Sequence, residues 1–198
     1  DVFNSFSLGI GADGVPGYPL IEAYLTGKEL KTVAEIDASV SDLMTSARLY
    51  MYGLQFTYNP HRMILNRVTD VYLLDADGNR RELEDDKLYR VVADLYSGQM
   101  LSAVTKTSYG LLSVVPKKAD GTPIENFEDV ILTDNGGELK AWTAIAHYME
   151  SFPDENGDGI ADIPQYYAGL HERKVVDDSA NLIKLIKNPN KYAVMIAG

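Results

Sequence analysis

The stretch DENGDGIAD, residues 154–162, has the most pointed chemistry in this 198-residue chain. Asp154, Asn156 and Asp158 stand at positions one, three and five. Gly159 supplies a sharp turn at six, Ile160 offers its main-chain carbonyl at seven, and Asp162 stands at nine. Hard cations such as Ca2+ need several oxygens converging from one tight loop, and this spacing supplies them. Position twelve departs from the pattern: Gln165 replaces the bidentate glutamate, and Pro164 disfavours an exiting helix, so the stretch is not an EF-hand. The competing reading is an Asx-rich turn whose side-chain oxygens satisfy the loop's own amides. A bound calcium would brace the tail rather than do catalysis.

Other reactive constellations are absent from the sequence. His61, His147 and His171 are far apart, without the carboxylate or histidine spacing of a transition-metal centre. Ser97-Gly98 lacks the preceding glycine of a nucleophile elbow. GIGADGVPG, residues 9–17, precedes a strand rather than opening a helix, so it reads as a loop or bulged connection and not as a phosphate cradle. His61 and Arg62, in NPHRM, stand on a loop that could meet an anion. The aromatics are more suggestive. Tyr50, Tyr52, Phe56 and Tyr58 share one strand-like segment, and Tyr96 ends another. Flat rings at strand ends can sandwich a flat ligand such as a nucleobase, and packing within a core or edge is the alternative.

The elements that must position these residues follow from periodicity. YPLIEAYLTG (18–27) alternates like a strand, and Leu30, Val33, Ala34 and Ile36 then recur at helical spacing, with helix or helical turns continuing from Asp37 to Ala47. LYMYGLQFTY (49–58) reads as a strand with a bulge or close approach at Gly53. Val68 to Leu74, a turn over Asp75 to Asn79 and a short return strand form a hairpin. LYRVVADLY (88–96) reads as a central strand that breaks into a small turn at Ser97-Gly98, leaving space beside Tyr96, with a helix over 97–107. LLSVVP (111–116) reads as a short strand. GELKAWTAIAHYMESF (137–152) is an amphipathic helix with Leu139, Trp142, Ile145, Ala146 and Met149 on one face, carrying His147. DSANLIKLIKN suggests a helix and YAVMIA a last strand. The segment VFNSFSL at the start is strand-like and has no lead-in, as in a part of a longer protein.

A formal charge of −11 argues against general nucleic-acid binding, which needs a basic face. No run of eighteen apolar residues is present, so no segment spans a membrane. The absence of cysteine excludes disulfides and thiolate metal sites.

In order along the chain, LTGKEL (25–30), LYMYGLQFTYN (49–59) and LYRVVADLYSGQ (88–99), with the Asp-Gly hairpin between the last two, resemble the C-terminal domain of the 5'-nucleotidase family. The resemblance covers roughly residues 1–152, with 153–198 as a C-terminal extension packed on the same domain. It implies an α+β fold, a mixed sheet with helices against it. It also implies a nucleoside-binding role in a two-domain metallophosphoesterase. There, a separate N-terminal domain holds two divalent metals and the catalytic pair, while the C-terminal domain stacks two aromatics on the base. Tyr96 matches one stacking position and Tyr50 the other, with Tyr52 and Arg48 as neighbours. The family's arginine-bearing glycine segment falls before Asp1. The family's Pro-Phe-Gly-Asn is replaced by Ser7-Leu8-Gly9-Ile10, and its Gly-Gly-Asp-Gly-Tyr turn by Gly98 to Ser102.

The reading implied is substrate recognition for a secreted, periplasmic or cell-surface nucleotide phosphohydrolase, inactive as this chain alone. Its partners are a nucleoside or nucleotide and the N-terminal metallophosphatase domain. The alternative is a non-catalytic, calcium-braced extracellular binding module.

Overall fold

A computed structural model describes residues 2–6, 8–40, 48–75, 77–107 and 113–179. The expected helix over DSANLIKLIKN, from residue 180 onward, the strand YAVMIA, and the continuation over 41–47 lie outside the described residues. The protein is α+β and divides into two compact units. One takes the described residues of 1–24, 90–103 and 115–171; the other takes those of 25–89, 104–114 and 172–198. Each is treated by itself.

The second unit contains the mixed sheet. Strands β2 (Leu54–Tyr58), β3 (Val68–Leu74), β4 (Arg80–Glu82) and β8 (Lys174–Val176) run in the order β4-β3-β2-β8. β3 pairs antiparallel with β2 and with β4, as the hairpin pattern predicts, while β8 joins β2 in parallel with Phe56 opposite Lys174. Helix α2 (Gly27–Val40) lays Ala34 and Ala38 on Phe56, closed in by Met51, Tyr58, Val68 and Val71. LTGKEL has a physical meaning here. Thr26 and Glu29 form a capping box: the Glu29 carboxylate accepts the Thr26 amide at 2.8 Å, and the Thr26 hydroxyl accepts the Glu29 amide at 3.2 Å. Gly27 is required between them, because a Cβ there would stand 2.3 Å from the Glu84 carbonyl oxygen.

One expectation in this unit changes, and one strand is added. The strand predicted over 49–58 begins only at Leu54; Gly53 has φ of +78° with open space around it, so it breaks the strand through its backbone angle, not through close approach. The sequence pattern does not predict β8, since the three residues Lys-Val-Val are too short to show a period.

Strand β1 (Leu20–Thr26), residues 20–24 of which belong to the first unit, buries alternate residues Ile21, Ala23 and Leu25 as its pattern predicts, and pairs with β5 (Leu88–Asp94), residues 90–94 of which belong to it as well. β5 is not central: among the described residues β1 is its only partner strand, and Arg90 and Val92 are exposed. Ile21 and Ala23 pack with Ile124 and Phe127, joined by Leu95, Val130 and Ile131. The described residues of the expected strand over 111–116 form none, and Val114, which belongs to the second unit, is buried on irregular chain. β6 (Thr133–Asp134) and β7 (Gly137–Glu138) form a hairpin over Asn135-Gly136, both at positive φ, so the amphipathic helix α4 (Ala141–Glu150) starts four residues later than its pattern suggests. The N-terminal segment is also corrected. It forms a short helix, α1 (Val2–Phe6), with Phe3 set edge-on to Trp142 at 5.2 Å, a contact invisible to local propensity.

Candidate functional site

Tyr96 stands on the first turn of helix α3 (Leu95–Thr107), not at the end of a strand. The helix begins two residues earlier than predicted because Asp94 caps it: its carboxylate accepts the Ser97 amide at 2.9 Å and the Ser97 hydroxyl at 2.7 Å. Ser97 is thus a capping partner. Gly98 is buried, and a Cβ on it would lie 2.5 Å from Ile21 Cδ1 and 3.3 Å from the Phe127 ring. The small residues therefore let the helix sit on its core rather than clear space beside Tyr96. Tyr96 is half-exposed, and the ring that meets it is Tyr18, with centroids 5.6 Å apart and planes tilted by 32°. Gly9 in turn lies flat on Tyr18, where a Cβ would come within 2.7 Å of the ring.

The glycine-rich loop that carries Gly9 is a braced connection, as its position before a strand predicts. Ile10 and Pro16 form a bridge across it. Lys140, buried at the start of α4, donates to Asp13 at 2.8 Å and also to Glu138. Burial disfavours the ammonium, but the two carboxylates outweigh it and raise the Lys140 pKa, while Lys140 first and the Val15 amide second lower that of Asp13.

Tyr50 and Tyr52 belong to the other unit. Both stand on irregular backbone before β2 and are almost fully exposed, at 89% and 85%. Each ring faces a cation: Lys174 Nζ is 5.4 Å from the Tyr50 centroid and the Arg173 guanidinium 4.5 Å from that of Tyr52. Lys174 also pairs with buried Asp37 at 2.7 Å, and Asp37 accepts the Leu49 amide at 2.7 Å. The same buried carboxylate thus fixes both the start of the tyrosine segment and the tail strand. Sequence reasoning misses Tyr18, Arg173 and Lys174. An aspartate on the apolar side of α2, between Ile36 and Ala38, is the one signal that a cation must arrive from elsewhere. His61, on its predicted loop, bonds through Nε2 to Asp178 at 2.7 Å and stays exposed.

In the acidic loop, side-chain oxygens accept main-chain amides. Asp154 takes Gly157 at 2.7 Å and Gly159 at 2.8 Å, Asn156 takes Asp158 at 2.9 Å, Asp158 takes Ile160 at 2.8 Å, and Asp162 takes Glu155 at 2.8 Å. The amides of Gly159 and Gly157 hold the Asp154 pKa below its ordinary value. Among the described residues, no three His, Cys, Asp or Glu side chains already converge as a metal site. The oxygens of Asp154, Asn156, Asp158 and Asp162 are nevertheless gathered on one loop, and binding a hard cation would require them to exchange amides for metal.

Comparison with known proteins adds a family to this geometry. Residues 16–104 match the family model described as 5'-nucleotidase, C-terminal domain. No curated protein matches the chain. Among solved structures, the 5'-nucleotidase precursor of Thermus thermophilus is 20% identical with a TM-score of 0.49, over 80% of this chain and 25% of that one. The NAD nucleotidase of Haemophilus influenzae is 22% identical with a TM-score of 0.35, over 42% of this chain and 18% of the other. This chain therefore spans about a quarter of the length of the first and less than a fifth of the second.

Proposed function

We propose that this chain, whose residues 16–104 match the 5'-nucleotidase C-terminal domain family, is the nucleoside-recognition part of a two-domain nucleotide phosphohydrolase. The family match carries this reading. Tyr96 supports it, since its ring lies within the matched stretch, is half-exposed and is fixed by a capped helix. Tyr96 stacks on the base, with Tyr18 backing it. Tyr50 and Tyr52 offer further exposed rings, and Arg173 and Lys174 place positive charge over them.

Hydrolysis would belong to a separate N-terminal metallophosphatase domain, whose two metals would supply the activated water. This chain binds and orients the nucleoside, and the whole enzyme works outside the cytoplasm. Two assays test the reading. The chain alone releases no phosphate from nucleoside monophosphates, and nucleosides quench its tyrosine fluorescence saturably. Turnover by metal-loaded chain, or no response to any nucleoside, would contradict it.

The ordered oxygens of the 154–162 loop favour a second reading, a calcium-braced binding module. Asp154, Asn156, Asp158, the Ile160 carbonyl and Asp162 are its ligands. Calcium then raises the melting temperature and chelation lowers it; an unchanged melt leaves the loop an Asx turn.

A further inference from the structure

The first unit carries an aromatic face outside residues 16–104 that the nucleoside reading does not use and whose rings the calcium reading leaves unassigned. Tyr148 and Phe152, at the end of α4, meet edge to face at 5.1 Å. Tyr167 joins both, at 6.1 Å from Tyr148 and 5.6 Å from Phe152, and its hydroxyl bonds to that of Tyr148. Tyr166 stands edge-on to Tyr167 at 5.2 Å and stacks on His171 at 4.0 Å. Five rings thus form one continuous cluster, yet Tyr148, Tyr166 and Tyr167 remain 52%, 60% and 45% exposed. Rings this tightly joined present their faces at little further entropic cost, because their positions are already fixed by one another.

Charge decides what such a surface receives. Residues 141–171 contain five carboxylates, Glu150, Asp154, Glu155, Asp158 and Asp162, and no lysine or arginine. The acidic loop follows Phe152 and Pro153 and is closed by the Asp162 amide, which donates to the Pro153 carbonyl at 2.9 Å. Exposed carboxylates thus follow the ring-bearing end of α4 directly in the chain. Polyanions are repelled from such a face. Aromatic faces attract ammonium and guanidinium groups through the ring quadrupole, and the surrounding carboxylates add Coulomb attraction. We infer that the Tyr148–Phe152–Tyr166–Tyr167 face is a docking surface for a basic peptide segment, whose Lys or Arg stems lie along the rings while their charged ends reach the loop carboxylates.

A labelled (Arg-Gly)4 peptide is titrated into the full chain by fluorescence anisotropy, in a chelating buffer that keeps calcium out of the loop, with (Glu-Gly)4 and neutral cellohexaose as parallel probes. The arginine peptide binds saturably and the other two do not. Binding weakens at least tenfold in the Tyr166→Ala/Tyr167→Ala double variant and is retained in Tyr166→Phe/Tyr167→Phe, which keeps the ring faces. It also weakens several-fold between about 50 and 200 mM salt. Glu155→Gln, an exposed side chain whose replacement leaves the fold intact, weakens it about two- to threefold. Failure of the arginine peptide to bind, or equal binding to the double alanine variant when circular dichroism shows both folded, overturns the proposal. Binding of cellohexaose in its place overturns it in favour of a glycan. None of these outcomes depends on whether nucleosides bind at Tyr96.

Discussion

Tyr96 stands on the first turn of a helix whose cap, glycine and neighbouring ring are all fixed by local packing, whereas Tyr50 and Tyr52 stand on irregular backbone and meet cations delivered more than a hundred residues later in the chain. The first arrangement is held by a core and the second by charge. A ring fixed by a core should be insensitive to salt and to the tail, and a ring fixed by cations should respond to both. Tyr96, its cap Asp94, Gly98 and the neighbouring Tyr18 all lie within the family-matching stretch, while the cations over Tyr50 and Tyr52, Lys174 and Arg173, lie beyond residue 104.

The largest effect separating the two is expected at Lys174. Lys174→Met leaves the Asp37 carboxylate buried without its counter-ion, which should cost about 2–3 kcal/mol and release the cation from Tyr50. Thermal melts should show the loss, and the emission of the exposed tyrosines should change with it. Next is Gly98→Ala. Alanine gains about 1 kcal/mol in helix propensity, but its Cβ falls 2.5 Å from buried Ile21 Cδ1. The net loss should be about 1–2 kcal/mol, read as a lowered denaturation midpoint.

Asp94→Ala removes the cap of α3 and should cost about 1 kcal/mol, with weaker amide-exchange protection in the turn that carries Tyr96. Asp94→Asn, which still accepts the Ser97 amide, should recover most of it. The smallest effect is in the acidic loop. Because amides of Gly159 and Gly157 lower the Asp154 pKa, its contribution is present above the ordinary carboxylate value of 3.8 and is lost as pH falls through the depressed folded value. The amide resonances of Gly157 and Gly159 should therefore titrate with a midpoint below 3.8. A midpoint at or above that value would show that the carboxylate is not held by those amides.

What could be read from the sequence divides along the same line. Alternation in β1, helical spacing in α2 and the Asp-Gly hairpin are local signals, and the chain obeys them. The strand-to-helix switch at Asp94 falls two residues before its expected place because LYRVVADLY is apolar on both sides, and apolar content alone cannot distinguish a strand end from a capped first turn. The Asn135-Gly136 hairpin has a clear signal that merges into the helix pattern following it. The partners of the candidate rings are not legible. Tyr18 reaches Tyr96 across 78 residues of sequence, and Arg173 and Lys174 reach Tyr52 and Tyr50 across more than 120, so only the fold brings them together.

The most direct test of the nucleoside-recognition claim is calorimetric titration of the chain with adenosine and its monophosphate, wild type against Tyr96→Ala. The account predicts saturable binding to the wild-type chain and at least a tenfold loss in the variant, since base–aromatic stacking contributes about 1–3 kcal/mol per base. Equal affinity in the two proteins, both folded, would contradict it.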